Sequence, residues 1–164
     1  MTATIVTNAG LVIVAPFITE LFSHIGVLTS NGQQIVPGAA ARACQLLQYL
    51  VYGRLDAPDG DLALNKLLCG VVETVPPLSA ASSADLTACD ALLADVVAKW
   101  KVIDHTSVAE LQEAFLRRDG HLVGGRRATL NVPRRTLDVL LDQVPWSISV
   151  IDLPWMMTPI HVRW

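Results

Sequence analysis

A chain of 164 residues has the size of one domain and can bury roughly two-thirds of its unfolded surface without a metal or a disulfide. Its residues are 52% hydrophobic and 16% charged, where an average soluble domain is about a quarter charged, and its net charge is −3. That balance speaks against nucleic acid as a partner and predicts apolar surface left over for other protein chains or, less readily, a membrane surface.

From the N-terminus, no basic start or small-residue cleavage pattern marks a signal peptide, so the cytoplasm is the expected compartment. Gly10 to Ala15 reads as extended. Pro16 suits the first turn of a helix whose Phe17, Leu21 and Ile25 are spaced four apart, with Gly26 as its stop. This apolar run is interrupted by Pro16, Thr19 and Glu20, well short of the ~18 residues a membrane-spanning helix needs. Pro37 opens a second helix, with Cys44, Leu47, Leu50 and Val51 on one stripe and Gly53 at its end. A third spans about Leu62 to Cys69, with Asp61 as N-cap and Gly70 just beyond its end, and Val71 to Ala81 is a connector.

Ser82 and Asp85 stand at capping-box spacing before Leu86, Cys89, Leu93, Val96, Val97 and Trp100, which recur at three- and four-residue steps. Ser107 and Glu110 repeat the signal for a helix carrying Val108, Leu111 and Phe115 and ending at Arg117, Arg118 and Gly120. The period then changes. His121 to Val123, the Gly124-Gly125 turn and Ala128 to Val132 read as a β-hairpin. Leu137, Leu140, Leu141 and Val144 return to helical spacing until Pro145, and the tail reads as two short strands, about Ser147 to Leu153 and Ile160 to Trp164. The fold class is α+β, mostly α: one globular domain over 1–164 of five to six short helices, a small hairpin and a C-terminal two-stranded element.

Chemistry-bearing patterns are sparse. Cys44, Cys69 and Cys89 are odd in number, far apart and set among apolar residues, as small buried hydrophobes are. His24, His105, His121 and His161 have no second ligand at metal spacing, and no nucleophile elbow, P-loop or dinucleotide fingerprint occurs. Asp56, Asp59 and Asp61 around Gly60 lack the order and the distal Glu of a calcium loop, so an acidic turn and helix cap is expected, with no ion. Arg117, Arg118, Arg126, Arg127, Arg134 and Arg135 make half of the twelve Lys and Arg, yet no aromatics interleave them; helix-end charge, solvated strand ends or pairing with an acidic neighbour fit better than phosphate binding. No catalytic, cofactor or metal site is expected.

The tail is the most informative segment. From Trp146 to Trp164 it holds three of the four tryptophans, and ordering so apolar an end implies docking, into the chain's own core or onto a partner. Trp146, Trp155, Met156, Met157 and Trp164 are therefore the candidate partner-binding residues, with Met156 and Met157, at a turn, the best placed for exposure.

Five stretches carry a resemblance: NAGLVIVAPF from Asn8, RACQLLQYLVYG from Arg42, LALNKLLCG from Leu62, KWKVIDHTSVAELQEAFLRRDGHL from Lys99, and LDVLLDQVPWSISVIDLPWM from Leu137 with the closing IHVRW. In this order they resemble the C-terminal region of tape measure proteins of contractile injection systems, which are phage-tail-like particles. The resemblance implies a structural, non-enzymatic role. Family members occupy the tube lumen during assembly, set its length and contact tube, baseplate or hub proteins, in the bacterial cytoplasm first and in the assembled extracellular or cell-bound particle afterwards. A fully helical chain of 164 residues would reach only about 250 Å, and Pro and Gly break this one into short helices, so length control does not carry over. What remains is a terminal docking domain, a short member or a piece of something longer, which binds tail proteins or associates with itself. Two alternatives stand beside it: a membrane-surface or protein-binding module of another kind, and an enzyme with a site built from distant His and Asp residues.

Overall fold

The greasiest run of the sequence forms the longest stretch of continuous burial. In the structure, a computed structural model that describes residues 3–164, helix α1 runs Leu11–Ile25 and every residue from Leu11 to Ala15 is buried. This first part of the helix is apolar on every side and enclosed, while Thr19, Glu20, Ser23 and His24 give its later turns a solvent face. The extended backbone expected for Gly10 to Ala15 is thus corrected: helix begins at Leu11, and Pro16 lies in its interior rather than in its first turn. The first turn is fixed by backbone contacts, since Ala9 N–H donates to Arg118 O (2.9 Å) and Gly10 N–H to Leu116 O (3.2 Å). A Cβ on Gly10 would collide with Phe115 O and Leu116 Cα, so only glycine admits this approach. An interior proline costs a helix about 3 kcal/mol, and the burial of nine α1 side chains outweighs it.

Helix α2 is Ala40–Tyr52, starting three residues after Pro37, which stays in the preceding turn; α3 is Ala63–Cys69. Asp61 does not cap α3. It sits in a 3₁₀ turn, Asp59–Asp61, where the Asp59 carboxylate accepts Val75 N–H (2.7 Å) and Lys66 Nζ (3.1 Å). The Val75 amide, and then Lys66, hold Asp59 below the usual carboxylate range. Helix α4, Ser83–Lys99, starts as its sequence signal says, with Ser82 Oγ accepting Asp85 N–H at 3.1 Å. The Asp85 carboxylate turns instead to Arg42 in a two-pronged pair at 2.7 Å each, and that guanidinium, against burial, keeps Asp85 below its ordinary pKa.

Ser107 likewise caps α5, but the single helix expected up to Arg118 is divided: α5 covers Val108–Leu111 and a π-helical turn Gln112–Leu116 follows. The wider turn is held by Arg117 N–H on Gln112 O (2.8 Å) and by Gln112 Nε2 on Leu50 O (2.9 Å), and it aims Phe115 at Trp100, ring centroids 4.8 Å apart. The helical spacing after Leu137 becomes a 3₁₀ helix, Thr136–Gln143.

Five strands make one sheet: β1 Ala3–Val6, β2 Gly120–Val123, β3 Ala128–Asn131, β4 Val150–Ile151 and β5 Ile160–Arg163, in the order β1-β2-β3-β5-β4. The hairpin and the C-terminal pair are therefore not separate pieces. β5 enters beside β3 in parallel (Leu130 opposite Val162) and carries β4 antiparallel on its other side. β1, which sequence patterning did not reveal, completes the far edge with Val6 opposite Gly120. Alternation sends Val6, Leu122, Leu130 and Ile160 into the core and leaves Ile5, His121, Val150 and Arg163 on an open face. The class remains α+β and mostly helical.

Candidate docking surface

Each indole N–H in the chain is bonded internally. Trp100 donates to Leu140 O (3.1 Å), Trp146 to Ile13 O (2.8 Å), Trp155 to Leu68 O (2.7 Å) and Trp164 to Asp138 Oδ2 (2.8 Å). The tail thus folds onto its own body at three points, each time giving the single donor of an indole a partner within the fold.

Trp146 meets α1 beside Pro16. Ile13 O accepts the indole while Phe17 stacks edge-on at 5.0 Å. Trp155 closes the end of α3: it is 7% exposed, bonded to Leu68 O and 5.5 Å from Phe22. Gly70 makes that closure possible. Its φ is +65°, and a Cβ there would run into Trp155 O. Trp164, half-buried, lies under the Arg118 guanidinium, 5.2 Å from the ring centroid.

The guanidinium over Trp164 belongs to a fully buried ion pair. Arg118 and Asp138 are 1% and 0% exposed and paired through two bonds of 2.7 and 2.6 Å. Asp138 also accepts Arg135 N–H (2.9 Å), and Arg118 donates to Ala114 O and Pro133 O. Burial pushes the Asp138 carboxyl up; the Arg118, Arg135 and Trp164 donors together overcome it and bring the group down to about 2. No sequence pattern revealed this pair. Both partners sit among residues read as ordinary helix-end charge.

Of the tail candidates, Met157 is the one fully presented, at 74% exposure. Met156 is half-buried and accepts Leu153 N–H on its sulfur (3.2 Å), shaping the turn, while Trp155 leaves little area for a partner. Met157 borders a cleft of 320 Å³ whose walls include Ile35, Val36, Pro37, Gly70 and Val71, with Trp155 behind them. Val72, 76% exposed, stands between the lining residues Val71 and Glu73. Sequence reasoning passed over Val72 as part of a connector; its only signal was a second valine beside the α3 stop.

The six arginines do not form one patch. Arg117 bonds Val51 O (2.9 Å) and lies over Tyr52, Arg118 is buried, Arg134 pairs with Asp142 at 3.0 Å, and Arg126, Arg127 and Arg135 are exposed. His24 lies on α1, His105 in the turn after α4, and His121 and His161 on the open sheet face two strands apart. Cys44, Cys69 and Cys89 are buried, and burial raises the Cys89 thiol to about 12 and Cys69 well above its ordinary value. Among the described residues, no group of three or more His, Cys, Asp and Glu is placed to hold a metal, and no helix is long and apolar enough to cross a membrane.

Comparison with curated proteins and with solved structures returns no match. The profile of contractile injection system tape measure proteins, by contrast, matches residues 1–164, and the chain belongs to that family.

Proposed function

We propose that this chain is a structural docking component of a contractile tail particle, without catalytic activity, and that it engages a tube, baseplate or hub protein during assembly in the bacterial cytoplasm. The observation that carries this reading is the pair Met157 and Val72, the two most exposed large apolar side chains among the described residues, set beside one cleft in a chain of the tape measure family. Flexible methionine beside a cleft that combines apolar side chains such as Ile35 and Val36 with polar groups such as Gln34 and Glu73 suits a surface that must accept a partner side chain. The tryptophans serve the same role indirectly, by fixing the loop that presents Met157.

The test is co-expression with the sheath, tube and baseplate genes, followed by isolation of particles. The double variant Val72→Glu/Met157→Glu should keep the wild-type circular dichroism spectrum and be missing from particles that contain the wild-type chain. Incorporation of the double variant at the wild-type level overturns the proposal.

A further inference from the structure

Three carboxamides meet in the core: Asn8 from the turn before α1, Gln48 from α2 and Asn65 from α3, at 1%, 6% and 0% exposure. Their orientation is determined by one neighbour. A backbone carbonyl can only accept, so the end of Asn65 that meets Cys44 O at 3.0 Å is Nδ2. That nitrogen also points at Gln48 (3.2 Å), which makes the facing atom Oε1, and Oε1 takes a second bond from Asn8 Nδ2 (2.9 Å). Asn8 Nδ2 in turn meets Asn65 Oδ1 at 2.7 Å. The network stops at two atoms: Asn8 Oδ1, sealed in the core, and Gln48 Nε2, which makes no hydrogen bond among the described residues. Gln48 lines a cleft of 340 Å³, and with Oε1 turned into the core, Nε2 is the polar atom it presents there.

The walls around that amide are held in place from behind. Tyr52 donates its hydroxyl to Thr7 O (2.8 Å) and carries Arg117 over its ring, while Gln45 bonds both the N–H and the carbonyl of Ala57, at 3.3 and 2.9 Å. Tyr52, Ala57 and Pro58 give the cleft its apolar lining. Its charged lining is Arg54, Asp56 and Asp61. Arg54 and Asp56 are paired at 3.2 Å; Asp61 is exposed and, among the described residues, has no ion-pair partner.

Two requirements select the occupant. Its tip must accept from Gln48 Nε2, which an ammonium or a guanidinium cannot do, and it must lie beside the uncompensated Asp61 carboxylate, which repels an anion. A carboxamide satisfies both with separate atoms, its oxygen on Gln48 Nε2 and its NH2 on Asp61, whereas a hydroxyl has its donor and acceptor on one atom. We infer that this cleft takes the side chain of a glutamine presented by a partner polypeptide, its methylenes lying along Tyr52 and Pro58. The cleft shares no residue with the one beside Met157, so the two contacts are separable.

The test is an NMR titration of the isotope-labelled full chain with Nα-acetyl-glutamine methylamide, and with the glutamate, lysine, methionine and serine forms of the same probe. The glutamine form alone should shift the Gln48 side-chain amide and the Tyr52 and Asp61 backbone amides, saturating with a Kd of about 1 mM, as a probe of this size does in a good site. Asp61 lies on the exposed rim, outside the amide network, so Asp61→Ala should keep the fold and weaken the glutamine probe about three- to tenfold. A glutamine response that is absent or unsaturated at about 10 mM, equal binding of any other form, or unchanged affinity in Asp61→Ala overturns the inference.

Discussion

Removing the Asp138 carboxylate should destabilise this chain more than any other single loss of charge. The substitution Asp138→Ala leaves Arg118 cationic at 1% exposure, with Ala114 O (3.1 Å) and Pro133 O (3.3 Å) as its remaining acceptors. Breaking a buried pair by deleting one partner costs about 3–5 kcal/mol, because the survivor's charge is uncompensated. Arg135 N–H and Trp164 Nε1 also lose their acceptor, but both bonds are only partly buried, so water replaces it and their loss adds little. Against a total stability of roughly 5–15 kcal/mol, a loss near 4 kcal/mol lowers Tm by about 10 °C for a chain of this size. Urea titration and thermal melting followed by circular dichroism measure it. The companion variant Arg118→Met/Asp138→Leu removes both charges and should be more stable than Asp138→Leu alone. A cost below about 1 kcal/mol for Asp138→Ala, or a double variant less stable than the single one, refutes the reasoning.

Other perturbations have equally definite outcomes. The Asp138 pKa is lowered from 3.8 to about 2, so its share of stability is complete above about pH 4 and is lost as pH falls toward 2; this is worth about 2 kcal/mol in acid titrations, and it should vanish in Asp138→Asn. Trp155→Ala removes a ring packed on Phe22 and the bond to Leu68 O, and should cost about 3–5 kcal/mol in urea unfolding. Gly70→Ala and Gly26→Ala both place alanine at positive φ, but only the first drives a Cβ into a backbone oxygen; Gly26→Ala should cost about 1 kcal/mol and Gly70→Ala clearly more, and equal melting temperatures would contradict the crowding at Trp155. Deleting 160–164 takes out β5, and the product should lack cooperative unfolding by circular dichroism.

Much of this architecture was written in local signals. Ser82 and Ser107 announced two helix starts because a hydroxyl before a helix satisfies a free amide wherever it occurs. Gly53 and Gly70 announced helix ends for an equally local reason, their left-handed backbone. The failures share a cause as well. Gly10 to Ala15 reads as a strand by its β-branched residues, and it becomes helical because Gly10 docks on Leu116, more than a hundred positions away. β1 is four residues long, exposed for most of its length, and exists only by pairing with β2. The Arg118–Asp138 pair was hidden because burial, which makes it important, is a property of the assembled core. Trp146, Trp155 and Trp164 were legible as a cluster, while the division between internal tethers and the exposed Met157 required coordinates.

The pairing of β1 with β2 has a consequence for the newborn chain. Val6 leaves the ribosome long before Gly120, and at about 5–20 residues per second β1 waits roughly 6 to 23 seconds for its neighbour. Until α2 and α4 have been made and pack on it, the adjoining LVIVAPFI stretch has no helix to shelter it, and its β-branched residues favour intermolecular sheet. Pro16 interrupts that stretch at a position where no ladder amide can form. An imperfection in the finished α1 is thus a safeguard for the nascent polypeptide, keeping its stickiest segment from aggregating before its own partners have been synthesised.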